Sequence, residues 1–337
     1  MPWPNVFASQ PTGNVPASYL DDNFNAAAPL ASPALTGVPT APTPASADNS
    51  TTIATTAFAQ SLLSANFRTR LINGDFSVDQ RNSGASQAVV AAAPAAYTVD
   101  RWYATCAGAN VTGEQVAGTT PRPFAYQFTG AAANSGVVFG QRIESLNVND
   151  LVNISVIGSG YFSSSSATTL TWRAYYANAV DNFSAQTQIA TGTLTISATP
   201  TLLDFTFNAG SSAANGIALQ FSVSTLPAAA TLTFEDVQLS PGVAVSDFSY
   251  LTVSERLALC QRYYEIGIGT IASAYIPSPG WNMANSFGFK VTKRTTPTIT
   301  ASFGTLSTTN VNGVVLYASM TSAPESNNLT FTATAEL

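Results

Sequence analysis

IALQFSV, residues 217–223, decides how the rest of the chain is read. Ile217, Leu219, Phe221 and Val223 fall on alternate positions, with small or polar residues between them. Successive side chains of a strand point to opposite faces, so this pattern predicts a strand with one face in a core and the other outside. Outward from it the pattern recurs. Leu203, Phe205 and Phe207 alternate with Asp204 and Thr206. Leu170, Trp172 and Ala174 alternate with Thr171 and Arg173, and Ile154 alternates with polar neighbours over residues 153–157. Such short runs, bounded by Gly, Asn, Ser and Pro, fill residues 71–250 with no long helix between them. They predict a mostly β protein whose central part is an antiparallel two-sheet β-sandwich, a jelly roll.

One segment has a different period. In TVSERLALCQRYYE, residues 252–265, Val253, Leu257, Cys260 and Tyr264 step by four, three and four, widened by Leu259 and Tyr263. This spacing predicts a short helix with one apolar face. Thr252 with Glu255 three positions later forms a capping box at its start, and Gly267 and Gly269 are expected to end it. Beyond it, alternation resumes at Phe287, Phe289 and Val291, and again from Leu329 to Leu337. The expected organisation is an extended arm over 1–70, a sandwich over 71–250, and a connecting helix with a small C-terminal β module over 251–337.

Composition bounds the function. The 337 residues are 45% hydrophobic but only 9% charged, with a formal net charge of -6. A surface so poor in charge is solvated by hydroxyls and amides. Lys290 and Lys293 are the only lysines among twelve basic residues, and no basic residue precedes Arg68. Nothing clusters to neutralise a phosphate backbone, so nucleic acid is not an expected partner. Cys106 and Cys260 are too few and too distant for a disulfide framework or zinc site, and read as buried thiols. MPWPNVFASQ has neither a basic nor an apolar signal region, and no run of eighteen apolar residues occurs. The expectation is a soluble chain without membrane insertion.

Residues 1 to about 67 hold few large aliphatics and recurrent prolines at Pro29, Pro33, Pro39, Pro42 and Pro44. Proline fixes φ and removes a donor, which favours extended chain. Trp3, Phe7, Tyr19, Leu20, Phe24 and Phe58 are spaced as anchors that an arm could bury against other subunits. The segment SPALTGVPTAPTPASADNSTTIATTAFAQ, residues 32–60, resembles the proline-threonine region of bacteriophage tail-fibre proteins. MPWPNVFASQPTGNVPASYLDDNF, residues 1–24, is similar to the start of many phage structural proteins. The resemblance implies a trimeric shaft or attachment region. LALCQRYYE followed by KRTTPT at 293–298 also resembles phage structural proteins, with Lys-Arg where Met-Arg is more usual.

LINGDF at 71–76 and YTVDRW at 97–102 open the sandwich, and LTFEDVQL at 232–239 closes it. Together they resemble the first and last strands of carbohydrate-binding-module-like jelly rolls. In the closing segment Leu232 and Phe234 share one parity while Val237 and Leu239 have the other. A bulge near Glu235 and Asp236 would return both sets to the core. In the resembled modules an acidic residue here and the first strand hold a structural calcium, which makes Asp75 with Asp236 a candidate site. The alternative is a bulged edge whose carboxylate faces solvent or a backbone amide, since calcium needs six to eight oxygens. No other cofactor is expected.

There is no histidine, which removes imidazole triads, His-liganded zinc and the commonest neutral-pH base. No Walker or dinucleotide motif occurs. What remains for an enzyme is a two-carboxylate glycosidase drawing on Asp75, Asp79, Asp100, Glu144 or Asp181, none of which the sequence pairs. For glycan binding, Tyr275, Trp281 and Asn282 lie in or beside a Pro- and Gly-rich stretch, YIPSPGW, and read as loop candidates. Trp102 and Trp172 read as core.

The reading is a non-enzymatic structural virion protein of a tailed phage, a fibre or fibre-like appendage and a homotrimer. Its arm would join other virion proteins, and its modules would touch host surface polysaccharide. Assembly would occur in the host cytoplasm. Alternatives are a capsid decoration or head fibre, a carbohydrate-binding module, and a polysaccharide-degrading tail spike.

Overall fold

The computed structural model describes residues 37–45, 48, 50–59, 69–273, 280–320 and 325–337. The chain forms two units, Met1–Gln60 and Ser61–Leu337. In the first, described residues bond through hydroxyls and short turns. Thr43 and Thr55 share a hydroxyl hydrogen bond of 3.0 Å, Ser50 N donates to Asp48 Oδ1, and the amide of half-buried Phe58 donates to Thr55 Oγ1. Trp3, Phe7, Tyr19, Leu20 and Phe24 lie outside the described residues.

The second unit begins with a sandwich of two antiparallel sheets. One is ordered β1 (Gln87–Val89), β4 (Val111–Ala117), β5 (Phe124–Thr129), β12 (Thr231–Pro241), β7 (Ser155–Ser164) and β10 (Thr201–Asn208). The other is ordered β2 (Ala96–Tyr97), β3 (Trp102–Ala107), β6 (Gly136–Ile143), β11 (Ile217–Val223), β8 (Thr169–Ala179) and β9 (Asn182–Thr195). From β5 to β8 and from β9 to β12 the chain changes sheet at every step, the pattern of the expected jelly roll. The alternating residues of β11 point inward as read. Ile217, Leu219, Phe221 and Val223 are all buried in the core.

Aromatic rings fill that core. Phe139 stacks on Trp102 at 4.8 Å and on Tyr126 at 5.2 Å, and Trp172 stacks on Phe205 at 4.3 Å. Trp102 and Trp172 are core residues, as the sequence indicated. Burying each large apolar side chain contributes about 1.5–3 kcal/mol relative to exposure. Both thiols are free and buried.

β12 carries the bulge its parity demanded. The register with β7 slips between Glu235 and Gln238, and Asp236 adopts a left-handed φ of 47°. Phe234, Val237 and Leu239 are consequently all buried. Residues 71–76, expected as a strand, are turns and bends instead. They lie along the bulge, with Arg70 N bonding Leu239 O at 2.7 Å and Val237 N bonding Gly74 O at 2.8 Å. A Cβ at Gly74 would sit 1.9 Å from Val237 O, so only glycine permits this approach. Ile154 also departs from its reading. It is 43% exposed just before β7, and Val156 and Ile157 are the buried residues.

The helix α1 (Val253–Gln261) starts with the expected capping box at Thr252 and Glu255, but only the C-terminal part of the expected apolar stripe is buried, at Cys260, Tyr263 and Tyr264. Val253 is 73% exposed, and Arg256, Cys260 and Gln261 are buried. Helix gives way to strand at β13 (Tyr264–Ser273), so Tyr264 and Glu265 belong to a sheet. Gly267 and Gly269 sit within β13, where a Cβ on either would meet the ring of Phe331 or Phe287 at 2.1 Å.

β13 pairs with β18 (Glu325–Thr334), which pairs with β15 (Thr298–Ala301). A second three-stranded sheet holds β14 (Trp281–Gly288), β17 (Gly313–Met320) and β16 (Thr305–Asn310). Ile271, Leu316, Met320, Leu329 and Phe331 form the core of this C-terminal β pair.

Charged residues fasten it to the sandwich. Glu336 takes Arg81 at 2.9 Å and also Arg101, Glu144 takes Arg262 at 2.9 Å, and Asp75 takes Arg256 at 2.8 Å. Within the module, Lys293 and Glu265 form a fully buried pair at 2.5 Å.

Candidate functional site

Because Leu170, Trp172 and Ala174 of β8 fill the core, Thr171, Arg173 and Tyr175 face outward. The same parity places Gln220 and Ser222 of β11, Val138, Gly140 and Arg142 of β6, and Tyr103 and Thr105 of β3 on that outer face. Register then sorts them into rows. Thr105 stands opposite Val138, Val138 opposite Ser222, Ser222 opposite Thr171, and Thr171 opposite Thr193. The next row is Tyr103, Gly140, Gln220, Arg173 and Thr191.

The first row lines a groove of about 380 Å³, bordered by Thr105, Val138, Thr171, Arg173, Ser222 and Ser224. Across the four strands from Thr105 to Thr171 it measures about 14 Å at ordinary strand spacing. Arg173 Nη1 donates to Ser222 Oγ at 2.7 Å, and Gln220 Nε2 donates to the Tyr103 hydroxyl at 2.9 Å. Burial raises the pKa of Tyr103, which keeps its hydroxyl protonated. The groove therefore offers hydroxyls and one guanidinium on a rigid sheet, with the Gln220–Tyr103 pair in the row beside it.

Another part of this face is covered. Leu337 packs with Tyr175, Ala177, Phe183 and Ala218, and its carbonyl accepts from Tyr97 at 2.9 Å and from Arg142. The Tyr97 hydroxyl, buried there beside Glu336, is pushed up to about 12.

Carboxylates are occupied elsewhere. Asp75 and Glu144 hold Arg256 and Arg262. Asp79 accepts from the amides of Asn82 and Gly84, Asp181 from the amide and hydroxyl of Ser145, and Asp100 from Gln80. Burial pushes Asp100 up to about 7, against the Gln80 hydrogen bonds that lower it. None of these acids borders the groove.

The two acids considered for calcium come near each other but do not form its cage. Arg256 supplies the cation at Asp75, and Asp236 accepts the hydroxyl of Tyr250. Burial pushes Asp236 up to about 6, the Tyr250 bond opposing and the Asp75 charge adding. Among the described residues no group of three or more acidic or cysteine side chains gathers to hold a metal. A guanidinium already neutralises one acid, and the oxygen count falls short of what calcium takes, so the set does not fit that ion. Glu235 is also buried, paired with Arg122. Phe234 and Val237, on either side of the two acids, are the residues that enter the core.

Of the aromatic candidates, Trp281 is 48% exposed and Asn282 is exposed, both at the start of β14 opposite Met320 and Ser319. They are strand residues, not loop residues. Tyr275 lies outside the described residues. The groove residues were missed in sequence. Their outward parity was readable at Thr171 and Arg173, but which strands lie side by side was not.

No family model and no curated protein matches this chain. Among solved structures, a putative sugar binding protein from Bacteroides thetaiotaomicron is 14% identical with TM-score 0.34, covering 52% of this chain and all of its own. A family 11 carbohydrate-binding module from Clostridium thermocellum, in complex with a mixed-linked tetrasaccharide, is 12% identical with TM-score 0.31, covering 48% and 97%. The enzymatically active domain of bacteriophage CBA120 tailspike protein 4 is 12% identical with TM-score 0.32. That match covers 42% of this chain and 19% of the tailspike chain. At these scores the likeness carries no weight for function.

Proposed function

We propose that this chain is a non-catalytic structural protein of a phage particle, held by its proline-rich N-terminal residues and contacting glycans through the outer face of the β2–β9 sheet. The carrying observation is the groove itself. Thr105, Thr171, Ser222 and Ser224 set hydroxyls around an open depression on a rigid sheet, with Arg173 at its edge and no carboxylate on its border. Hydroxyl groups in a fixed array suit the hydroxyl-rich edge of a saccharide. A glycosidase needs two acids flanking one bond, and the acids here are spent on arginines and backbone amides.

The virion role is supported by the resemblance of residues 1–24 and 32–60 to phage structural proteins, and a homotrimer by the anchor spacing of the same region. A glycan array probed with the full chain and with T171A/S222A tests the binding role. Retention is expected for the parent and loss for the variant. Equal signals from both would remove the groove from the proposal, and release of reducing ends would replace binding by hydrolysis. Antibody labelling of whole particles distinguishes fibre from capsid ornament, and light scattering of the purified chain reads the subunit number. A stable monomer would end the trimer proposal.

A further inference from the structure

Among the described arginines, all but one hold a carboxylate or a backbone carbonyl. Arg70, Arg81, Arg101, Arg122, Arg256 and Arg262 each hold a carboxylate. Arg142 and Arg294 donate to carbonyl oxygens of residues 335–337. Arg173 alone among the described arginines has neither, and its protein acceptor is the Ser222 hydroxyl. It is half-buried, and it stands in the groove.

A half-buried guanidinium without a counter-charge is costly to keep, because its lost hydration is not repaid by a neutral hydroxyl. The chain carries eighteen acidic residues against twelve basic ones, so an acid for Arg173 was not scarce. Resting on the glycan reading above, we infer that the groove takes an anionic saccharide, one whose carboxylate is received by Arg173. A guanidinium presents five donors in a planar fork matched to a carboxylate, and one donation to Ser222 leaves the others for a ligand. Ser222 holds the fork in place, and the hydroxyls of Thr171 and Thr105 lie along the same row for the sugar ring's own hydroxyls.

The test uses the full chain and a panel of uronate-containing oligosaccharides, each paired with its carboxyl-reduced counterpart of the same linkage. Isothermal titration should give about ten- to a hundred-fold tighter binding of the acid form, the range of a charge-assisted hydrogen bond. In R173Q the ratio of acid-form to reduced-form affinity should fall to about one. R173K, which keeps the charge but not the fork, should fall between. Raising salt from about 0.05 to about 0.5 M should weaken the acid form and leave the reduced form unchanged.

Equal binding of acid and reduced forms by the parent chain overturns the inference and leaves the glycan reading standing. No binding of any panel member overturns both. Should R173Q lose acid and reduced forms alike, with near-ultraviolet circular dichroism intact, Arg173 serves the shape of the groove and the inference is wrong. Should R173Q itself unfold, the acid-to-reduced ratio and its salt dependence in the parent and R173K decide the matter.

Discussion

Asp236, in the bulge that rescues the parity of β12, holds a raised pKa because its carboxyl is buried. Below the ordinary aspartate value of 3.8 the carboxyl is protonated in both folded and unfolded chains, and its contribution is fully present. From there to about 6 the folded chain keeps the proton that the unfolded chain has lost, so stability falls as pH rises, levelling off above. Asp100 extends the same loss to about 7. The melting temperature of D236N, compared with the parent at steps between these limits, should lack the part of the decline that lies below about 6. A parallel pair of profiles would refute this account. These residues mark what sequence could and could not tell. The parity slip at Val237 and Leu239 was visible, and so the bulge was. That Arg256 and not a metal would meet Asp75 was hidden, because a helical stripe is counted in apolar residues and an inward arginine looks like solvent-facing surface.

Elements reveal a similar division. The start of α1 is a local matter, fixed by Thr252 and Glu255 within one turn, and it was legible. Its end was not, because β13 pairs along its whole length with β18, more than fifty residues away, and that pairing claims Tyr264 and Glu265 for a strand. Glycines that looked like a stop are instead flat ground under the rings of Phe331 and Phe287. T252A removes the cap's acceptor and should cost about 1 kcal/mol in urea denaturation. A larger loss would mean that Thr252 supports more than the first turn. The helix is nine residues long and would be marginal alone, so its hold on the sandwich through Arg256 matters more than its propensity.

For the molecule as a whole, the strands of the sandwich and of the sheets after α1 were legible, since each run has its own alternation and turns. Their joining was not, because it rests on Glu336, Arg81, Arg101, Glu144 and Arg262, scattered charges with no period to read. Glu336 is nearly fully buried between its two arginines, and E336Q leaves both short of a counter-charge. Scanning calorimetry should then lose about 3–5 kcal/mol of stability, with the parent's single transition resolving into two. One transition retained at the parent's temperature would show that the interface does not depend on this residue. The same placement of charge has a consequence in changing waters. Dissolved ions screen what solvent reaches, and most of these bridges lie inside, with the half-exposed Arg70–Asp150 pair as the contrast. The body should therefore melt alike in dilute buffer and in brine, its bridges indifferent to a passage between fresh and saline surroundings.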